Sequence, residues 1–142
     1  MKNICIVAGE PNSINSEIIA KSWLKLKKAD RKKLIIIGNY NLIKLQLKKL
    51  KYKIDLEKTN ILNQAIKNKL RIYDISYKKN KLTKYIKDSL NKAHEFAIKR
   101  KIKGFINCAI DKSNLPNHNG VTEYLSSKNK NNFFKNMLIY NE

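Results

Sequence analysis

Glycine and proline are scarce in this sequence, four and two among 142 residues. With 42% of the residues apolar, that scarcity excludes a collagenous, low-complexity or disordered chain and predicts one folded domain. No apolar run approaches the roughly 18 residues a membrane span requires, and Ile4 to Ala8 is too short for a signal-peptide core. The expected compartment is the cytoplasm, with no membrane partner. Cysteine occurs only at positions 5 and 108, far apart and inside apolar segments, which excludes a CxxC pair or a zinc-ligand spacing and predicts free, buried thiols. Arginine is confined to Arg31, Arg71 and Arg100.

Lysine, by contrast, is abundant. The net charge is +20, a balance that attracts phosphate backbones. Base-edge and bidentate phosphate readers favour the planar guanidinium, however, and arginine is what this chain lacks. Lys, Asn and Ile make up almost half the residues, a bias spread over the whole sequence. Nucleic acid is therefore not the expected partner; a Lys-rich α/β module for nucleic acid or another polyanion is the alternative reading.

The hydrophobic pattern alternates strand and helix. Ile4 to Val7 forms a continuous apolar run ending at Gly9, as does Leu34 to Ile37 ending at Gly38, the pattern of strands buried on both faces. Between them Ile14, Ile18, Ile19, Trp23 and Leu26 recur at helical spacing, with Ser13 as the expected N-cap and Glu17 in the first turn. A helix carrying Leu42, Ile43, Leu47 and Leu50 follows the second strand. Tyr52 to Leu56 and Arg71 to Ile75 are further strand candidates around a short helical stretch at 61–66. Leu82, Tyr85, Ile86, Leu90, Ala93 and Ala97 mark one face of a long helix. Phe105 to Cys108 then reads as a strand, Asp111 to Gly120 as a polar turn, Thr122 to Ser127 as a short helix and Met137 to Glu142 as a last strand. The β-α-β order implies right-handed crossovers and a largely parallel sheet, an α/β fold.

In such sheets ligands gather at the carboxyl ends of the strands, which selects the segments from Gly9 to Ser16, Gly38 to Asn41 and Asn107 to Glu123. The first has no GxGxxG, so a dinucleotide turn is unsupported there. Ser13 and the amides after it could hold an anion or simply cap a helix. Glu10, extended before Pro11, could be a polar site residue or a turn residue. In the third segment Lys112 could meet a phosphate or be a solvated side chain, and Thr122 could bond a phosphate oxygen or cap the short helix. His118 lies in a loop, while His94 sits beside the apolar face of the long helix as a rim residue. One loop histidine makes no metal site, and Cys108 lacks the activating charge that a Cys108/His118 nucleophilic pair needs.

Gly9-Glu10-Pro11 after the first strand, Glu17, Gly38, Ile110-Asp111-Lys112 and Gly120-Val121-Thr122-Glu123-Tyr124-Leu125 together resemble, in order, the 4-hydroxythreonine-4-phosphate dehydrogenases of vitamin B6 biosynthesis. That family opens with G-[DE]-P-x-G-I-G-P-E, has a T-G-P-[IV]-x-K strand end, and carries a G-H-T-E-[FY] turn whose His and Thr contact the substrate. The resemblance implies a three-layer α/β/α fold of the isocitrate/isopropylmalate-dehydrogenase type, with residues 1–142 an incomplete, N-terminal portion ending before the metal ligands. It implies NAD-dependent oxidation of 4-hydroxythreonine 4-phosphate to a β-keto acid that decarboxylates to 3-amino-2-oxopropyl phosphate. A complete enzyme is expected to be a homodimer using NAD and a divalent metal such as zinc, magnesium or cobalt, while this chain alone is expected to be inactive.

The substrate-binding positions carried over are Thr122, Val121 at the family histidine, and Lys112, with His118 a substitute for the missing imidazole. Asn12-Ser13-Ile14-Asn15-Ser16 lacks the family glycines and proline, and Asn107-Cys108-Ala109 stands where T-G-P is expected. Valine cannot donate a hydrogen bond, so the substitution at position 121 also allows a degenerate, non-catalytic relative.

Overall fold

A computed structural model describes residues 2–62 and 68–128. Its elements run β1 (Asn3–Val7), α1 (Asn15–Lys25), α2 (Lys28–Arg31), β2 (Leu34–Gly38), α3 (Tyr40–Lys49), β3 (Leu56–Thr59), β4 (Leu70–Asp74), α4 (Leu82–Ile98), β5 (Ile102–Asn107), a 3-10 turn (Lys112–Asn114) and α5 (Val121–Ser127). The strands form one sheet in the order β3-β4-β2-β1-β5, parallel at every pairing. Ile4 to Val7 face Leu34 to Ile37 on one side, and Cys5 to Val7 face Phe105 to Asn107 on the other.

Two apolar layers sandwich the sheet, and strand periodicity sorts the side chains between them. Cys5, Val7, Ile35 and Ile37 join Tyr85, Ile86, Leu90, Ala93 and Phe96 of α4, with Leu115 and Tyr124 beyond them. Ile36 and Ile72 join Ile19, Ala20 and Trp23 of α1 and Ile43 and Leu47 of α3 on the opposite face. The fold is thus the three-layer α/β/α architecture expected. Each run of four apolar residues is needed because both faces of a central strand are covered.

The chain departs from the sequence pattern after α3, at Ile61 and Leu62, and at the start of α1. Tyr52 and Ile54 lie outside the sheet, partly buried against the α1/α3 layer, and pairing starts only at Leu56 opposite Leu70. The cause is the exit from α3: Lys51 is left-handed (φ 59°) and the Tyr52 N–H returns to the Leu47 carbonyl, which uses up residues before a strand can begin. Ile61 and Leu62 are not helical, and positions 63–66 of that expected helix lie outside the described residues. The expected strand from Met137 also lies outside them. Finally, α1 begins at Asn15 rather than just after Ser13. The Ser13 hydroxyl donates to the Glu10 carbonyl and accepts from the Asn15 N–H, closing a turn before the helix.

The buried face of α1 is accordingly rotated. Asn15, Ser16, Ile19, Ala20 and Trp23 point inward, leaving Ile14 67% and Ile18 47% exposed. Asn15 Nδ2 donates to the Ala109 carbonyl and Ser16 Oγ to Gln46 Oε1, so polar ties seat the first turn where an apolar stripe was expected.

Candidate functional site

The sheet order reverses around β1. From β1 the chain moves through α1 to β2, whereas it returns from β4 through α4 to β5 on the other side. The loops leaving the carboxyl ends of β1 and β5 therefore part toward opposite faces, one to the α1 layer and the other to the α4 layer. A crevice at such a reversal is where open α/β sheets bind ligands.

Two clasps join these loops. The Glu10 carboxylate accepts the Asp111 N–H and, at 2.9 Å, Asn114 Nδ2. Asn15 Nδ2 donates to the Ala109 carbonyl at 2.8 Å. Gly9 makes the second clasp possible. Its φ of +69° suits glycine, and a Cβ there would lie 2.6 Å from Asn15 Nδ2 and 2.7 Å from the Ala109 oxygen. Asn15 is 1% exposed, and its Oδ1 has no hydrogen-bond partner among the described residues. Asn15 and Ala109 are also two positions where the sequence departs from the pattern it resembles, and the departures meet.

A third clasp closes the neighbouring loop after β2. Asn39 caps α3 by accepting the Leu42 N–H, while its Nδ2 donates to the Ile75 carbonyl. Asp74 accepts the Tyr40 N–H and pairs with Lys58 at 2.7 Å. Gly38 packs closely enough that a Cβ would sit 2.9 Å from that of Ala8 and 3.2 Å from the Tyr85 hydroxyl, which itself accepts the Asn39 N–H.

The four substrate-binding candidates all follow β5 but play different parts. Lys112 is exposed in the 3-10 turn, where Asp111 caps by accepting the Ser113 N–H. Thr122 is exposed on the first turn of α5. Val121 packs against the α4-side core, as does Leu125. His118 is tied at both ring nitrogens, Nδ1 to the Pro116 carbonyl and Nε2 to Ser127 Oγ, each at 3.1 Å. It stands edge-on to Tyr124, whose hydroxyl donates to Asn91 on α4. The imidazole thus braces the loop against α5, and a ligand role would require exchanging these contacts.

Neither thiol is activated. Burial pushes the Cys5 thiol up to about 12 and also raises that of Cys108, so neither offers a thiolate near neutral pH. No group of three His, Cys, Asp or Glu side chains among the described residues is placed to hold a metal ion. No described helix is long and apolar enough to cross a membrane. Sequence reasoning missed the inward role of Asn15; the polar side chain at helix spacing next to Ile19 and Trp23 carried no apolar signal.

These features define an α/β protein whose loops are clasped together at the reversal of a parallel sheet. Its fold is that of solved 4-hydroxythreonine-4-phosphate dehydrogenases. The chain superposes on the enzyme from Burkholderia phymatum with a TM-score of 0.78 at 14% identity, covering 89% of this chain and 43% of that one. For the Klebsiella pneumoniae enzyme the TM-score is 0.73 at 15% identity, covering 89% and 45%. A Salmonella typhimurium protein assigned the same activity gives 0.77 at 19%, covering 89% and 44%. The chain spans less than half the length of each. No family model and no curated protein matches the sequence.

Proposed function

We propose that residues 1–142 form the N-terminal portion of a 4-hydroxythreonine-4-phosphate dehydrogenase-like enzyme and hold part of its phosphorylated amino-acid substrate. One coincidence carries the reading: the motif residues that resemble that family, Gly9-Glu10-Pro11 and Ile110-Asp111-Lys112, meet at the sheet reversal through the Glu10 clasp. The shared fold supports it.

The chain's own contribution is binding. Glu10 fixes the turn that bears Lys112, an exposed ammonium suited to a phosphate, and Thr122 presents a hydroxyl on the following helix. The complete enzyme would oxidise the secondary alcohol with NAD and a divalent metal, as a homodimer. The described residues fit neither group, lacking both a metal-holding cluster and a glycine-rich dinucleotide turn, so hydride transfer is not assigned to any of them.

Titration of the full chain with 4-hydroxythreonine 4-phosphate, followed by amide NMR, tests the reading. Shifts confined to 9–16 and 107–123, weakened in Lys112→Ala and Thr122→Val, are the expected result. Absence of saturable binding, or binding indifferent to both substitutions, would remove it. Val121 favours the second reading, a non-catalytic relative, because an apolar side chain packed against the α4-side core stands at the position of the family histidine. In that case phosphate binding persists while the longest natural form shows no NADH production.

A further inference from the structure

A second concavity lies at the opposite end of the strands from the clasped loops. It measures about 860 Å³ and opens on the α4 side, where the amino ends of β1, β2, β4 and β5 converge. Lys2, Lys32, Lys33, Lys92 and Lys101 line it together with Arg71, against one carboxylate, Glu95. Lys33 pairs with Asp30 and Lys92 with Glu95, so the positive potential comes chiefly from Lys2, Lys32 and Lys101, for which the described residues supply no ion pair. Tyr73 and Phe96, locked edge to face at 5.2 Å, and Ile61 provide an apolar wall.

The wall is built rather than incidental. Arg71 is 2% exposed, and its guanidinium donates to the Lys32 carbonyl at 2.7 Å, the Leu34 carbonyl at 3.3 Å and Asn3 Oδ1 at 3.1 Å. Asn3 in turn donates to the Leu62 carbonyl. Burial lowers the Arg71 value, with the Glu57 carboxylate opposing. A desolvated cation is costly unless well bonded, and here its bonds fix the backbone that carries Lys32 and Lys33.

We infer that this concavity is a binding site for a polyphosphate chain, separate from the clasped loops at the carboxyl ends. Its volume suits a ligand the size of a nucleotide, and three lysines from three segments can meet successive phosphoryl groups.

The test must separate a site from mere net charge. Inorganic tripolyphosphate is titrated into the full chain at about 0.15 M salt, where diffuse attraction is screened beyond about 8 Å. Saturable binding with amide shifts at Asn3, Lys33, Arg71 and Lys101 is expected. Lys32→Glu/Lys101→Glu should weaken it about tenfold or more, whereas Lys49→Glu/Lys79→Glu, with the same change in charge, should stay within about twofold. Lys32→Gln/Lys101→Gln repeats the comparison with a milder change if the glutamate variant unfolds. A parallel titration with ATP identifies the source: tighter binding points to a nucleotide using the Tyr73/Phe96 wall, equal binding to a bare polyphosphate, and both support the site. Equal losses in the site and control variants, shifts restricted to 107–123, or binding only to an oligonucleotide would overturn it.

Discussion

Glu10 and Asp111, 101 positions apart in sequence, are joined by a hydrogen bond from the Asp111 N–H to the Glu10 carboxylate. The same carboxylate receives Asn114 Nδ2, so one side chain holds the start and the end of the 3-10 turn. Replacing Glu10 with Ala should cost about 1–2 kcal/mol in urea unfolding. The Asp111 amide should exchange faster with solvent, while amides of α4 keep their protection apart from the global loss. Unchanged exchange at Asp111 would mean the clasp is not formed.

Gly9→Ala should be strongly damaging at this buried position. A β-carbon at φ +69° is strained and would collide with both partners of the Asn15 clasp. A loss of about 2–4 kcal/mol is expected, read from the shift in thermal or urea midpoint. Combining it with Asn15→Ala, which removes one of the colliding groups, should cost less than the sum of the single changes.

Thiol labelling ranks the two cysteines. Cys5 is fully buried on a central strand, whereas Cys108 is half-buried just after β5. Iodoacetamide should modify Cys108 slowly and Cys5 only on global unfolding. In the unfolded chain a thiol ionises near 9, while folded Cys5 keeps its proton to about 12. The unfolded state therefore gains the advantage as pH rises between these values, and Cys5→Ser or Cys5→Ala should flatten that alkaline decline.

Acid stability carries the opposite sign. Hydrogen bonds from Lys92 and Lys99 hold the Glu95 carboxyl down at about 2, against 4.5 for the free group. Its contribution is present above pH 4.5 and lost as pH falls toward 2. The side chains range from about a third to more than half exposed, so screening reduces the effect to under about 1 kcal/mol. Comparing wild type with Glu95→Gln from pH 6 to 2 should show convergence at the acid end, and a smaller gap throughout in high salt.

The central strands and α4 were legible because burial on both faces leaves runs such as Leu34 to Ile37, and because Tyr85, Ile86, Leu90 and Ala93 keep a helical spacing. Strand order was not legible, since parallel neighbours are fixed by packing between distant segments. The orientation of α1 was misread for the same reason: Asn15 finds its partner on a loop 94 positions away, which no local pattern encodes. Of the candidate site, sequence reading picked out Thr122 and Lys112 as polar residues after a strand, and both are exposed there. It gave no sign that His118 would be spent on Pro116 and Ser127, because a loop histidine looks the same whether braced or idle.

Among the described residues β5 pairs only with β1; Ile106 is 61% exposed on it, and nothing approaches within 4 Å of where a Cβ on Gly104 would stand. A margin that the described residues leave unpaired can recruit another strand, from elsewhere in the chain or from a second molecule. Mutual repulsion of +20 proteins opposes pairing between copies at low ionic strength, and added salt screens it. Colloidal behaviour is thereby coupled to fold: this chain should sediment as a dispersed species in dilute buffer and self-associate through that margin as salt is raised, whereas Ile106→Lys should remain dispersed.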